Sequence, residues 1–277
     1  MSRAVSITHV TTYRYDRPVF LGQQTLRLTP APHAPARILS HALTVAPANH
    51  VLREGRDPQG GVESRVLFEG RVDHFEITAR LEAELRPVNP FDFVLEGGAE
   101  RWPFDYDPLL RAELAPCLAV EGPGPGLAAK LPDGPAGTVP MLIALARRIA
   151  TEVRYIRRDE QGVWPVEETL TRGEGSCRDT GWVLVHAMRA LGIAARFCSG
   201  YLLDPDEGTA ELHAWAEAFL PGAGWVGFDP TSGLLAAENH LPLSAAADPR
   251  RAAPVTGTHE ACGVAFSASI RLETPPG

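Results

Sequence analysis

The sequence predicts an α+β protein, with an N-terminal antiparallel β-sandwich followed by helices packed on a second antiparallel sheet. Three observations lead there. Residues 1–86 alternate apolar and polar side chains in short runs broken by turn residues. Residues 87–137 are rich in Pro and Gly. From residue 138 the apolar spacing becomes helical, and after about residue 194 it returns to that of strands.

In order along the chain, the runs VSITHVTTYRY, QQTLRLTP, HALTVAP, HVLREGRD, ESRVLFEG and HFEITARLEAEL read as strands of a sandwich domain over 1–86. PVNPFD, EGPGPG and LPDGPAG mark 87–137 as a linker, and its aromatic residues (Phe91, Phe93, Trp102, Phe104, Tyr106) suggest a strap that packs on a neighbour and covers the site. Thr138 is placed to cap a helix carrying Leu142, Leu145, Ala146 and Ile149 on one face. Residues 167–170 read as a short helical turn, and a further helix runs from Cys177 until Gly192 stops it. Residues 195–203, 211–220 and 224–231 read as strands, the last two joined by a hairpin at Pro221–Gly224. The strand CGVAFSASIRLE closes the chain and is assigned, with the rest of 138–277, to the second domain.

The 277 residues carry a net charge of −8 and no basic run, which argues against nucleic acid as a partner. No apolar stretch reaches the roughly 18–20 residues of a membrane span. The first residues, MSRAVSITHV, lack an apolar signal core. The expectation is a cytoplasmic protein without a membrane partner. Its four scattered cysteines (Cys117, Cys177, Cys198, Cys262) are expected to be free thiols.

Cys177 follows a glycine turn, G-E-G-S-C, and falls in the first turn of its helix. Unpaired N–H groups and the positive end of the helix dipole lie there, a setting that favours a thiolate nucleophile and an oxyanion. His186, nine residues on, faces the other side of that helix. His213 is the better base. It sits eight residues before Pro221, and Asp229 sits eight after it, so the hairpin sets the two side by side. Cys, His and Asp together form a nucleophile, a base and an orienter. Trp164 and Trp215 are candidates to wall the cleft or to aid an oxyanion. Asp179 suits a helix-capping role, and Glu167–Glu168 either a solvated face or a cationic substrate. Asp204–Gly208 reads as an acidic turn rather than a calcium loop, and no zinc-ligand spacing is present.

The segments GEGSCRDTGW, LGIAARFCSGY, LHAWAE and GWVGFDPTSG resemble the transglutaminase-like superfamily, within it the bacterial transglutaminase-like cysteine proteases with an N-terminal β domain. The match covers roughly 140–235, with looser similarity in THVTTYRYDRPV, QQTLRLTP and the tail HLPLSAAADPRRAAPVTG. Gly61 departs from the Asn usual there. The resemblance implies a papain-like core with Cys177 as nucleophile, His213 as base and acid, and Asp229 as orienter. It implies thioester chemistry on an amide or peptide bond without a cofactor, ending in hydrolysis or in transfer to an amine. Two alternatives stand beside it: a silent module of the same fold that binds a partner, and a CoA-dependent thiol acyltransferase, whose phosphate-binding loop or basic cluster is not evident.

Overall fold

The computed structural model describes residues 2–120 and 122–274. Its N-terminal strands are β1 (Arg3–Val19), β2 (Gln24–Leu26), β3 (Arg37–Ala46), β4 (His50–Arg56), β5 (Val62–Phe68) and β6 (Val72–Leu85). Strand periodicity sends alternate residues inward: Val5 and Ile7 of β1, and Phe75, Ile77, Ala79, Leu81, Ala83 and Leu85 of β6, are all buried. Two four-stranded sheets face each other, and one edge strand of each comes from the far end of the chain. They are β12 (Val255–Thr256) and β13 (Val264–Glu273), and the sheet orders are β13-β1-β6-β3 and β12-β2-β5-β4.

This corrects the assignment of the last strand to the second domain. β13 pairs with β1 from Tyr15↔Val264 to Ser6↔Glu273, and so covers an edge that would otherwise expose a long ladder of unpaired backbone groups. The alternation of a strand reveals that it pairs, but not with what.

The longer helices of the second region are α1 (Thr138–Glu152), α2 (Val166–Arg172) and α3 (Cys177–Ala190). Its sheet is built from β7 (Ala195–Asp204), β8 (Thr209–Leu220), β9 (Gly224–Asp229), β10 (Leu234–Leu235) and β11 (His240–Ala246), in the order β10-β9-β8-β7-β11. α1 buries Met141, Leu142, Leu145, Ala146 and Ile149, each large side chain contributing about 1.5–3 kcal/mol. Thr138 is not its cap. Gly137 holds that position, and the Thr138 hydroxyl is buried without a hydrogen bond. Among the described residues no helix is long and apolar enough to cross a membrane.

The two regions share a core. Tyr201, Leu203, Leu241 and Leu243 of the second sheet pack with Val5, Ile7 and Phe75 of the sandwich, and the buried His9 ring is 2.9 Å from the Tyr201 hydroxyl. Gly126 and Leu127 of the 87–137 segment bond to Glu167 on α2, whereas its aromatic anchors pack at the other end of α3 from Cys177. Trp102 Nε1 donates to Leu191 O (2.8 Å), just past the C-terminus of α3. Tyr106 Oη donates to Phe219 O (2.7 Å) and accepts from Ala194 N (3.0 Å). A helix of fourteen residues is about 21 Å long, so these aromatic anchors lie far from its first residue.

Candidate active site

α2 ends at Gly173, whose φ of 62° takes the chain out of the helix through the left-handed region that glycine adopts freely. Gly175 then passes so close to its surroundings that a Cβ there would meet Asp179 Cβ at 2.9 Å. This tight return delivers Cys177 as the first residue of α3, after the N-cap Ser176. The Asp179 N–H donates to Ser176 O (3.0 Å), and the N–H groups of Cys177 and Arg178 ahead of it have no carbonyl within the helix to bond.

Asp179 fixes that turn. Its Oδ2 accepts from Ser176 N (2.8 Å), Ser176 Oγ (2.7 Å) and Arg158 Nε (2.9 Å). Its Oδ1 accepts from Trp164 N (2.7 Å) and Arg158 Nη2 (2.9 Å). Burial pushes this carboxyl up, but Arg158 and the N–H and O–H donors outweigh burial and hold it below its ordinary value. The expected capping role is therefore part of a larger buried ion pair, and no pattern in the sequence pointed to Arg158.

His213 and Asp229 meet, with Nε2 donating to Oδ2 at 3.1 Å. The register differs from equal counting about Pro221. Leu220 pairs with Gly224 and Ala216 with Phe228, so the turn is centred on Gly222 and His213 is diagonal to Asp229 rather than opposite. The two-residue offset preserves the face, and diagonal neighbours on one face remain within reach of long side chains. Burial lowers the basicity of His213. The hydrogen bond to Asp229 and then the interaction with Cys177 overcome it and raise the pKa to about 10. Nδ1 makes no closed hydrogen bond. The ring also interacts with the Cys177 side chain, and the Glu211 carboxylate lies 3.7 Å from Nδ1.

Asp229 collects further donors: Thr231 N (2.9 Å) and Thr231 Oγ1 on Oδ1, and Ser232 Oγ (3.2 Å) and His240 Nε2 (3.3 Å) on Oδ2. Burial opposes its ionisation, but these donors and His213 hold it well below the usual carboxylate range. Sequence reasoning missed His240. The resemblance of its tail segment was the only signal. It also missed Tyr155, half-exposed, whose phenol is pushed up first by burial and next by the charge of Cys177. Tyr155 pairs with Gly175 in a two-residue parallel bridge, a contact with no local signature.

The two tryptophan candidates have other roles. Trp215 is 1% exposed, so it presents no surface to a substrate. Its ring backs the site, 6.3 Å from His213 and 5.1 Å from His240. Gly200 makes room for it, since a Cβ there would sit 2.7 Å from the indole. Trp164 lies between the guanidinium groups of Arg158 (4.4 Å) and Arg172 (4.5 Å), and its backbone N–H serves Asp179. Glu167 accepts from Gly126 N and Leu127 N, which explains it without a cationic substrate. His186 packs on Trp182 (4.4 Å between rings). Asp204 Oδ1 accepts from Asp206 N and Glu207 N, as an acidic turn should. All four cysteines are free, and burial raises the thiol pKa of Cys117 and, far more, of Cys198.

Comparison with known proteins agrees with this architecture. Residues 5–84 match the bacterial transglutaminase-like N-terminal region, and residues 126–230 match the transglutaminase-like superfamily. The uncharacterized protein Rv2569c of Mycobacterium tuberculosis is 27% identical over 271 residues, covering 91% of this chain and 86% of its own. The uncharacterized protein ML0607 of Mycobacterium leprae is 24% identical over 283 residues, covering 93% of each. The fold is that of a crystal structure described as "a Putative Cysteine Protease from Cytophaga hutchinsonii". Its TM-score is 0.73 at 18% identity, over 100% of this chain and 92% of that one.

Proposed function

The chain belongs to the transglutaminase-like superfamily, and we propose that it is a cysteine-dependent acyl-transfer enzyme acting on peptide or other amide bonds. One observation carries this reading: a single buried imidazole, His213, interacts with Cys177 on one side and with the Asp229 carboxylate on the other.

In the proposed cycle the proton of Cys177 resides on His213 Nδ1, as the raised basicity of that ring allows, and the Cys177 thiolate attacks the amide carbonyl. The oxyanion forms at the N–H groups of the first turn of α3, where the helix dipole also favours it. The C–N bond breaks, the departing amine takes the proton from Nδ1, and the acyl group remains on Cys177 as a thioester. Water then gives a proton to Nδ1, attacks the thioester and releases the acid and the thiol. Asp229 keeps the ring in the Nε2–H tautomer and stabilises the imidazolium. Water is the default acceptor. An amine in its place would give crosslinking, and Glu211, exposed and near Nδ1, is placed to draw an ammonium group.

The test is intact-protein mass after brief exposure to activated acyl esters and, separately, to a CoA thioester. The expected result is one acyl adduct on Cys177 from the ester, discharged by water, absent in Cys177→Ala. Acylation only by the CoA thioester would select the acyltransferase. No adduct from either would favour a silent module.

A further inference from the structure

His240 is a second imidazole on the triad carboxylate, and the cycle above does not use it. It enters from β11, at the opposite edge of the sheet from β10, and its ring is buried. Ala237 N donates to its Nδ1 at 3.4 Å, which leaves the ring proton on Nε2, and that N–H donates to Asp229 Oδ2 at 3.3 Å. The same oxygen accepts from His213 Nε2 at 3.1 Å. Trp215 meets the His240 ring edge-on and lies nearly parallel to that of His213, so one indole sets the attitude of both. His240 and Asp229 together line a cavity of about 280 Å³ with Leu202, Leu235 and Ala237.

We propose that His240 is a positioning residue of the reaction: a neutral imidazole that shares Asp229 Oδ2 with His213 and limits how strongly that carboxylate holds the His213 proton. The physical reason is competition for one oxygen. Two N–H donors on Oδ2 divide its negative charge, and each bond is weaker than it would be alone. With both in place Asp229 still orients His213, yet the imidazolium can release its proton to the leaving amine. Without His240 the full charge of Oδ2 falls on His213. This role rests on the reading of His213 as the base for Cys177.

The groups that face the array are Cys177 and Glu211 toward His213 Nδ1, Tyr155 beside Cys177, the Thr231 and Ser232 hydroxyls on Asp229, and Glu238 in the cavity. Among the described residues no Lys or Arg side chain forms a salt bridge with Asp229, so its charge is balanced by these donors.

The test follows the His213 ring directly, by ¹⁵N NMR titration of the full chain with Cys177 blocked by methylthiolation. Wild type is compared with His240→Leu and with His240→Gln, whose side-chain amide can restore an N–H. The expected result is an upward shift of the His213 titration by half a unit or more in His240→Leu, with partial return in His240→Gln. An unchanged or lowered titration in a folded His240→Leu protein would overturn the proposal. A measurement on the wild type needs no variant: the ¹⁵N shifts of His240 should report a neutral ring protonated at Nε2, and an Nδ1–H or doubly protonated ring at neutral pH would overturn it equally. Failure of the triad reading is distinguishable, because it would appear as no loss of Cys177 reactivity when His213 is replaced, whatever His240 does.

Discussion

The two ends of α3 are both anchored by buried arginines, and they differ in what the anchor leaves free. At the first turn Arg158 and Asp179 form an ion pair with side chains 5% and 0% exposed, and they hold the backbone around Ser176 while leaving Cys177 facing His213. At the last turn Arg189 donates to three carbonyls, Ala195 O (2.9 Å), Ala119 O (3.0 Å) and Ala247 O (2.6 Å), while Trp102 takes Leu191 O. At the first end only the N–H groups of Cys177 and Arg178 precede the first bonded amide of the turn, Asp179 N. At the second, Trp102 of the 87–137 segment covers Leu191 O, and Arg189 ties the helix to carbonyls of three neighbouring segments. The aromatic anchors of the 87–137 segment thus belong to the end of the helix that does not carry Cys177.

Four substitutions or conditions would break or sharpen that contrast. Cys177→Ala should lower acyl transfer by more than about 10⁴-fold while costing the fold no more than about 1 kcal/mol, since only one buried sulfur atom is lost. Asp179→Ala should act on both: it leaves Arg158 buried without its partner, which costs about 3–5 kcal/mol in urea unfolding. Cys177 alkylation should then slow to the rate of an ordinary thiol. Arg189→Met should separate the two ends, costing about 3 kcal/mol through unsatisfied carbonyls while Cys177 alkylation changes less than about two-fold. If Arg189→Met slowed alkylation as much as Asp179→Ala, the ends would not be independent. The smallest effect is a slope. The folded-state pKa of His213, about 10, lies above its ordinary 6.5, so its charge stabilises the fold fully below pH 6.5 and that contribution fades as pH rises toward 10. Thermal unfolding should show Tm falling across that window, with a flatter slope in His213→Gln.

The sandwich strands, the helix starting at Cys177 and the His213–Asp229 face were legible because each depends on local periodicity or on counting across one hairpin. The count itself was two residues out. It survived because strand faces repeat every second residue, so an even error keeps the face. What the sequence withheld was long-range. β13 pairs with a strand some 250 residues earlier, Arg158 reaches Asp179 across the whole of α2, and His240 comes to Asp229 from the far edge of the sheet. Trp215 was misplaced for a related reason. Parity put it on the face of His213, but Gly200 and Gly227, one on each neighbouring strand, let its ring sink behind the imidazoles.

The most direct test of an activated Cys177 is the pH dependence of its alkylation by iodoacetamide, followed by peptide mass spectrometry against Cys117, Cys198 and Cys262, in wild type and in His213→Ala. The expected result is fast labelling of Cys177 alone below pH 7, abolished by the substitution, with Cys198 unreactive because it is fully buried. Labelling of Cys177 that rises only near pH ~8.5, as for a free thiol, and is indifferent to His213 would contradict it.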